Sequence, residues 1–401
     1  MISLDSIRSQ FPSLSRVHNG HPVTYFDAPG GTQVPRGVAE AMTDYLFHHN
    51  ANTHWAYPTS EETDAVIAGA REAAADLLNA RPDEIVFGAN MTTLTFHLGR
   101  ALGRMWSEGD EVIITELDHH ANVAPWRALT TDRGVVVKSA KLNCEASQLD
   151  YDHLASLVTD RTKLIAVGGA SNAIGTINDL QRVAKIAKDA NALFFVDAVH
   201  LAPHELIDVQ TIGCDFLACS AYKFYGPHVG ILYGRYELLD TLPFPKLAPA
   251  PDRAPERVET GTQNHEGIAG VAATIDFLAS LGGEHGTRRE RLGRAYEQLH
   301  EQGAKLTQML WDALKGMARV RIYGPPPTER RTPTISFTVK DTHCDDLSRA
   351  FAAKGLFASS GDFYAATVCE RFGIESLLRI GAACYTTEEE VRRLIDAIAA
   401  E

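Results

Sequence analysis

Seven short apolar runs, separated by amphipathic stretches, constrain this chain more than any other feature. They are EIVFGA (Glu84–Ala89), DEVIITEL (Asp110–Leu117), GVVVKSA (Gly134–Ala140), KLIAVGGAS (Lys163–Ser171), ALFFVDA (Ala192–Ala198), DFLACSA (Asp215–Ala221) and GILYGR (Gly230–Arg235). A strand with one face in water alternates apolar and polar residues. These runs are almost continuously apolar, the pattern of strands covered on both faces. Between them lie helical patterns such as Asp179–Asn191 and Asp64–Asn79, the second ending near Pro82. Strand–helix alternation predicts an α/β, doubly wound, largely parallel sheet.

The pattern changes after about residue 280. A long charged helix within Gly283–Lys315 precedes a strand at Thr334–Lys340, helices at Cys344–Lys354 and Ala365–Phe372, and a last helix at Glu388–Ala399. This predicts a large α/β domain over residues 20–282 and a smaller α+β domain over 283–401, joined by residues 1–19. Leu242–Pro251 and Gly324–Pro327 read as surface loops.

Composition narrows the function. Lys and Arg total 38 against 51 Asp and Glu, a formal charge of −13. That balance opposes a nucleic-acid partner, which needs a basic face. No stretch approaches the roughly 18 apolar residues of a membrane span. The N-terminus lacks the basic and apolar segments of a signal peptide. The six cysteines form no C-x-x-C pair, and no metal site is expected. A reduced, cytoplasmic protein is the expectation.

In such sheets, ligands sit beyond the carboxyl ends of the strands. The first strand runs into Gly88–Phe96, a small-residue turn (Asn90, Met91, Thr92, Thr93) opening a helix. Its amides and hydroxyls suit a phosphate, although a threonine N-cap reads the same way. The second strand ends in Asp118-His119-His120, whose imidazoles could stack on a ring, bind metal or sit in solvent. The fourth ends in Ser171-Asn172, an amide or only a turn residue. The fifth delivers Asp197 at the end of an apolar strand, where a carboxylate is costly without a cationic partner. The sixth ends in Ser220-Ala221-Tyr222-Lys223. A desolvated lysine there becomes a nucleophile toward carbonyls, whereas a snorkelling lysine would not. A phosphate turn, a stacking His, an Asn, an Asp and a lysine, in that order, match a pyridoxal phosphate site.

The sequence resembles the class V aminotransferases of the fold-type-I pyridoxal phosphate enzymes, and within them the group II cysteine desulfurase/selenocysteine lyase branch. The resemblance rests on Tyr25-Phe26-Asp27-Ala28, His119 through Trp126, Ser171-Asn172, Gly175-Thr176, Phe195-Val196-Asp197, Ser220, Lys223, Tyr225-Gly226-Pro227, Glu259 through Asn264, and Arg379. It implies an imine-forming, proton-shuttling Lys223, an Asp197 paired with the pyridine nitrogen and a His119 stacked on the ring. Asn172 would bond the phenolic oxygen or the substrate carboxylate, and Thr92 and Ser220 the phosphate. Asn90, Met91, His200 and Tyr222 would complete the cofactor site. Arg379 would clamp the substrate carboxylate, with Ala28 and Gly30 beside it. Thr262 would reach the neighbouring subunit's phosphate in a homodimer.

Three departures follow from the same motifs. His200 stands where the desulfurase pattern has Gln, and Tyr222 where it has His. Ser359-Ser360-Gly361-Asp362-Phe363-Tyr364 replaces R-T-G-H-H-C, so Tyr364 occupies the place of the persulfide cysteine. A phenol cannot form a persulfide. The expectation is therefore β-elimination (C–S lyase) chemistry on a small α-amino acid through an external aldimine. Tyr364 or Tyr222 would act as proton donor, and no sulfur-acceptor protein is expected. A desulfurase with a relocated thiol such as Cys369, an aminotransferase or epimerase, and a non-catalytic cofactor-binding scaffold are the alternatives. Cys384 reads as buried filler in a core strand.

Overall fold

The computed structural model describes residues 3–401. All seven apolar runs form strands of one sheet: β1 (Ile85–Gly88), β2 (Glu111–Thr115), β3 (Val136–Ala140), β4 (Thr162–Gly168), β5 (Leu193–Asp197), β6 (Phe216–Ser220) and β7 (Gly230–Gly234). Their order across the sheet is β1-β7-β6-β5-β4-β2-β3. Strands β2 to β6 are mutually parallel where they pair. Only β7 is antiparallel, to both β6 and β1.

The continuous apolar runs have a direct cause. Successive side chains point to opposite faces, and both faces are covered. Phe194 and Val196 of β5 enter one core with Ile165 and Val167. Phe195 enters the opposite core with Leu164 and Ala166. Each such large side chain contributes about 1.5–3 kcal/mol on burial. Strand β3 departs from the expected two-sided burial: Val136 is 44% exposed, because β3 is an edge strand.

Helix α1 (Pro58–Leu78) begins at Pro58 rather than at Asp64. Proline is tolerated in a first turn. The added turn carries no apolar stripe, because its buried residues, Ser60 and Thr63, donate to the carbonyls of Asn52 and Thr59. Helix α2 (Met91–Gly103) follows β1, α3 (Leu180–Asp189) precedes β5, and α4 (His265–Leu281) packs beside α1.

Helix α5 (Arg288–Lys315) starts at a capping box in which Thr287 and Glu290 bond each other's backbone amides. It leads into a second sheet built from β8 (Val320–Tyr323), β9 (Thr334–Val339), β10 (Ser359–Gly361) and β11 (Leu377–Gly381), ordered β8-β9-β11-β10 and antiparallel throughout. Ile335, Phe337, Leu378 and Ile380 pack there against α5, α6 (Cys344–Ala353) and α8 (Glu388–Ala399). Helix α7 (Ala366–Phe372) lies between β10 and β11.

Three local expectations change. Leu242 and Phe244 open the first proline-rich loop, yet both are buried in the α2-side core. Cys384 is buried but follows β11 in a turn rather than lying in a strand. The N-terminal segment bridges: Ile7 and Phe11 enter a core of the large sheet, while Arg8 pairs with Glu390 of α8 at 3.0 Å. Among the described residues no helix is long and apolar enough to cross a membrane.

Candidate active site

The carboxyl ends of β2, β4, β5 and β6 and the N-terminus of α2 surround a cavity of about 580 Å³. Its wall brings together Asn90, His119, Asn172, Asp197, Ser220 and Lys223, which span more than a hundred residues of sequence. Met91, Thr92, His200 and Tyr222 also line it.

One end of the cavity suits an anion. Asn90 caps α2, its side chain accepting the Thr93 amide at 2.9 Å. The Met91 amide donates to Ser220 Oγ at 2.9 Å, tying the turn to the end of β6. Thr92 is exposed on the first helical turn. Gly230 begins β7 beneath this turn, and a Cβ there would stand 2.5 Å from the Asn90 carbonyl carbon. The turn approaches the sheet only because that side chain is missing.

The other groups face one another across the cavity. Lys223 Nζ donates to the carbonyls of Pro29 and Gly30, the latter at 2.9 Å. Burial lowers the lysine to about 8, aided by the Arg379 charge and opposed by Asp27 and Asp197. Burial likewise pushes Asp197 up to about 6, against the pull of the Val199 amide and Lys223. No cation lies within salt-bridge distance of Asp197 among the described residues. His119 Nδ1 accepts the Ala121 amide at 2.9 Å, so the neutral ring carries its proton on Nε2. Burial holds His119 down to about 4. Asn172 Nδ2 donates to the Phe363 carbonyl, while its buried Oδ1 has no partner. His200 Nε2 contacts the hydroxyls of Thr332 and Thr334 at 3.1 Å each.

Tyr222 lines the cavity with its ring stacked on that of His228, which also lines it, centroids 4.9 Å apart and planes 16° from parallel. Tyr364 does not line the cavity; it is 73% exposed, with its ring 5.5 Å from that of His119, which does. The His120 amide donates to the Tyr364 carbonyl at 2.7 Å.

Five expected site residues, Thr262, Arg379, Tyr364, Ala28 and Gly30, do not line this cavity. Thr262 is exposed in a separate cleft beside His54 and Arg71. Arg379 sits behind the wall, its side chain 4% exposed. It donates to the Asn172 carbonyl and to Asp27, and the Phe363 ring covers its guanidinium at 3.8 Å. Ala28 is buried nearby, and Gly30 takes part through its carbonyl. No cysteine lines the cavity. Cys369 is buried among Leu117, Ile174 and Val368, with burial pushing its thiol up to about 11.

Sequence reasoning missed Asp118. Its carboxylate accepts the Thr115 amide at 2.9 Å and the Gly168 amide at 2.6 Å, joining the ends of β2 and β4 beside His119. Burial raises it to about 7, and the Asp197 charge adds to the rise. Its place directly before the paired histidines was the available signal. His228 and Phe363 were given no role, although Phe363 lies in the Ser359–Tyr364 stretch and His228 directly follows Tyr225-Gly226-Pro227.

The residues present fit a pyridoxal phosphate group. The unpartnered Asn172 Oδ1, the uncompensated Asp197 and the helix terminus opened by Gly230 each await a complement that this cofactor supplies. The aminotransferase class-V family profile matches residues 24–394. The chain is similar to a probable cysteine desulfurase of Streptomyces coelicolor, 31% identical over 99% of this chain and 97% of that one. It is 32% identical to a cysteine desulfurase of Pectobacterium carotovorum over 98% and 96% of the two chains. Among solved structures, the apo cysteine desulfurase of Thermococcus onnurineus superposes with a TM-score of 0.90 at 28% identity, covering 100% of this chain and 98% of that one. A cysteine desulfurase from Escherichia coli superposes at 0.87 with 27% identity, covering 100% and 98%. With the profile spanning nearly all the chain and the lysine, aspartate and phosphate turn in one cavity, the protein belongs to the aminotransferase class-V family and is a pyridoxal phosphate-dependent enzyme.

Proposed function

We propose that the protein is a cysteine-desulfurase-like enzyme that cleaves a small α-amino acid by β-elimination, without forming a protein persulfide. The observation that carries this reading is that no cysteine lines the cavity, while the Tyr364 ring lies 5.5 Å from that of His119, which does. A persulfide pathway needs a thiolate at the reacting sulfur. Cys369, the relocated-thiol candidate, is packed in an apolar cluster with its thiol held protonated.

This reading gives the residues their roles. Asn90, Met91, Thr92 and Ser220 would hold the phosphate. Asp197 would pair with the pyridine nitrogen, His119 would cover the ring, and Asn172 Oδ1 would accept from the cofactor or substrate. His200 and Tyr222 wall the site. Bound pyridoxal phosphate would supply an electron sink for the pair left at Cα. Lys223 Nζ takes the Cα proton, and the β-substituent leaves with its bonding pair. Tyr364 Oη, or Tyr222 Oη, gives that leaving group a proton. For L-cysteine the balance is cysteine and water to pyruvate, ammonia and sulfide. Arg379 binds the α-carboxylate. Residues 20–282 act as the cofactor domain and 283–401, with 1–19, as the smaller domain. The same reading makes the enzyme a cytoplasmic homodimer in which exposed Thr262 completes the neighbouring site.

The holoenzyme is tested with L-cysteine and β-chloro-L-alanine. Pyruvate and ammonia should appear in equal amounts, with sulfide from cysteine. Cys369→Ala should change the rate by no more than about twofold. Alanine plus a trapped protein persulfide would replace this reading with desulfurisation, and a pyridoxamine product would replace it with transamination.

The lysine makes a separate prediction. Only its neutral amine attacks the cofactor aldehyde. Capture of pyridoxal phosphate by the cofactor-free protein should accelerate about tenfold per pH unit up to about pH 8 and then level off. An ordinary lysine would keep accelerating to beyond about pH 10. Stopped-flow absorbance distinguishes the two.

A further inference from the structure

Arg379 does not line the cavity, and the Phe363 ring lies over its guanidinium. The guanidinium carbon lies 3.8 Å from the centre of the Phe363 ring. An aromatic face attracts a guanidinium but offers its N–H groups no lone pair. Arg379 Nε accordingly is buried with no acceptor. The other donors reach the Asn172 carbonyl at 3.0 Å and Asp27 Oδ1 at 3.3 Å.

The segment bearing Phe363 is held in a disfavoured conformation. Phe363 and Tyr364 both adopt left-handed backbone, with φ of 56° and 57°, and Gly361 before them has φ 131°. Two successive non-glycine residues in that region persist only where their surroundings hold them. Here Asn172 Nδ2 grips the Phe363 carbonyl at 2.9 Å, and the His120 amide grips that of Tyr364 at 2.7 Å. Asp362 accepts the Tyr364 amide at 2.9 Å. The strap is thus tied to the cavity residue Asn172 and to His120, the neighbour of His119, and Phe363 itself remains only half-buried.

We propose that Phe363 is a specificity-determining cover over Arg379, displaced only by a ligand whose carboxylate takes the place of the ring. This deepens the amino-acid reading above and rests on it. A carboxylate satisfies the unpartnered Nε and a neighbouring Nη in one bidentate contact, which the phenyl face cannot do. An amine without a carboxylate has nothing to exchange for the cover and leaves it closed.

The test uses the holoenzyme and two probes, L-alanine and ethylamine, which differ by the carboxylate. In Phe363→Ala the dissociation constant for L-alanine, read by calorimetry, should fall about tenfold, the scale of a lost cation–π contact. Ethylamine binding should be unchanged. Phe363→Leu, which keeps an apolar cover without a π face, should lie between. Arginine labelling by phenylglyoxal, located by mass spectrometry, gives a readout that needs no turnover. Arg379 should label at least about tenfold faster in Phe363→Ala than in the native enzyme. Equal labelling rates, or an L-alanine affinity that is unchanged or weaker in both variants, would overturn the cover. Faster labelling and tighter L-alanine binding, with no amino acid eliminated, would uphold the cover and remove the proposed reaction instead.

Discussion

Lys223→Ala should lower turnover by at least about 10³-fold and leave no pyridoxal fixed to the protein by borohydride. The size of the effect follows from how the lysine is prepared. An ordinary lysine is neutral in about one molecule in a few thousand at pH 7. Held at about 8, Lys223 is neutral in about one in ten. One nitrogen serves as both the anchor for the aldehyde and the base at Cα, so the substitution removes two functions together. No neighbour replaces it. His119 Nδ1 is occupied by the Ala121 amide, and Asp197 is bound to the Val199 amide. Mass spectrometry after borohydride treatment reads the linkage directly. A residue other than Lys223 carrying reduced pyridoxal in the native enzyme would refute its assignment.

The sheet and most of the cavity were legible in the sequence because they are set by local rules. Two-sided burial forces continuous apolar runs, and all seven runs became strands of one sheet. Asp197 and Lys223 stood out because a charge at the end of such a run is expensive unless used. The residues that escaped notice act through distant contacts. The β2–β4 clasp by Asp118 depends on Gly168, 50 positions away. Phe363 covers Arg379 only because β10 and β11 pair antiparallel, with Ser359 opposite Arg379. The earlier start of α1 was hidden for another reason: its first turn is anchored by hydroxyls, which carry no hydrophobic period. Arg379 was found by motif, but its shielding by Phe363 has no sequence signature.

The position of Tyr364 bears on how far chemistry follows fold. The chain superposes with cysteine desulfurases over its whole length. On the proposed reading the shared backbone delivers a phenol rather than a thiol at this strap, and the chemistry would follow from that group rather than from the fold. The acid-base machinery at the strand ends does not depend on that choice.

Asp197→Asn should cost activity and add stability, and the two effects have one cause. Asparagine preserves the shape and can still accept the Val199 amide, but it carries no charge. Removing one member of a buried ion pair costs about 3–5 kcal/mol, so turnover should fall by roughly 10²–10⁴-fold. In the cofactor-free protein the sign reverses. Burial raises the Asp197 carboxyl above its unfolded value of about 3.9, to about 6. A raised acid binds more protons folded than unfolded, so its ionisation weakens the fold as pH climbs between those values. At pH 7 the native carboxylate destabilises the cofactor-free protein by up to about 3 kcal/mol. The variant should therefore unfold at higher denaturant at pH 7, with the advantage shrinking below about pH 6 and gone below about pH 4. Asp197 also favours the charged form of Lys223, so its loss should move the pyridoxal-capture midpoint below about pH 8. A variant that keeps its turnover, or gains no stability without cofactor, would show that the carboxylate is paired by something other than the cofactor.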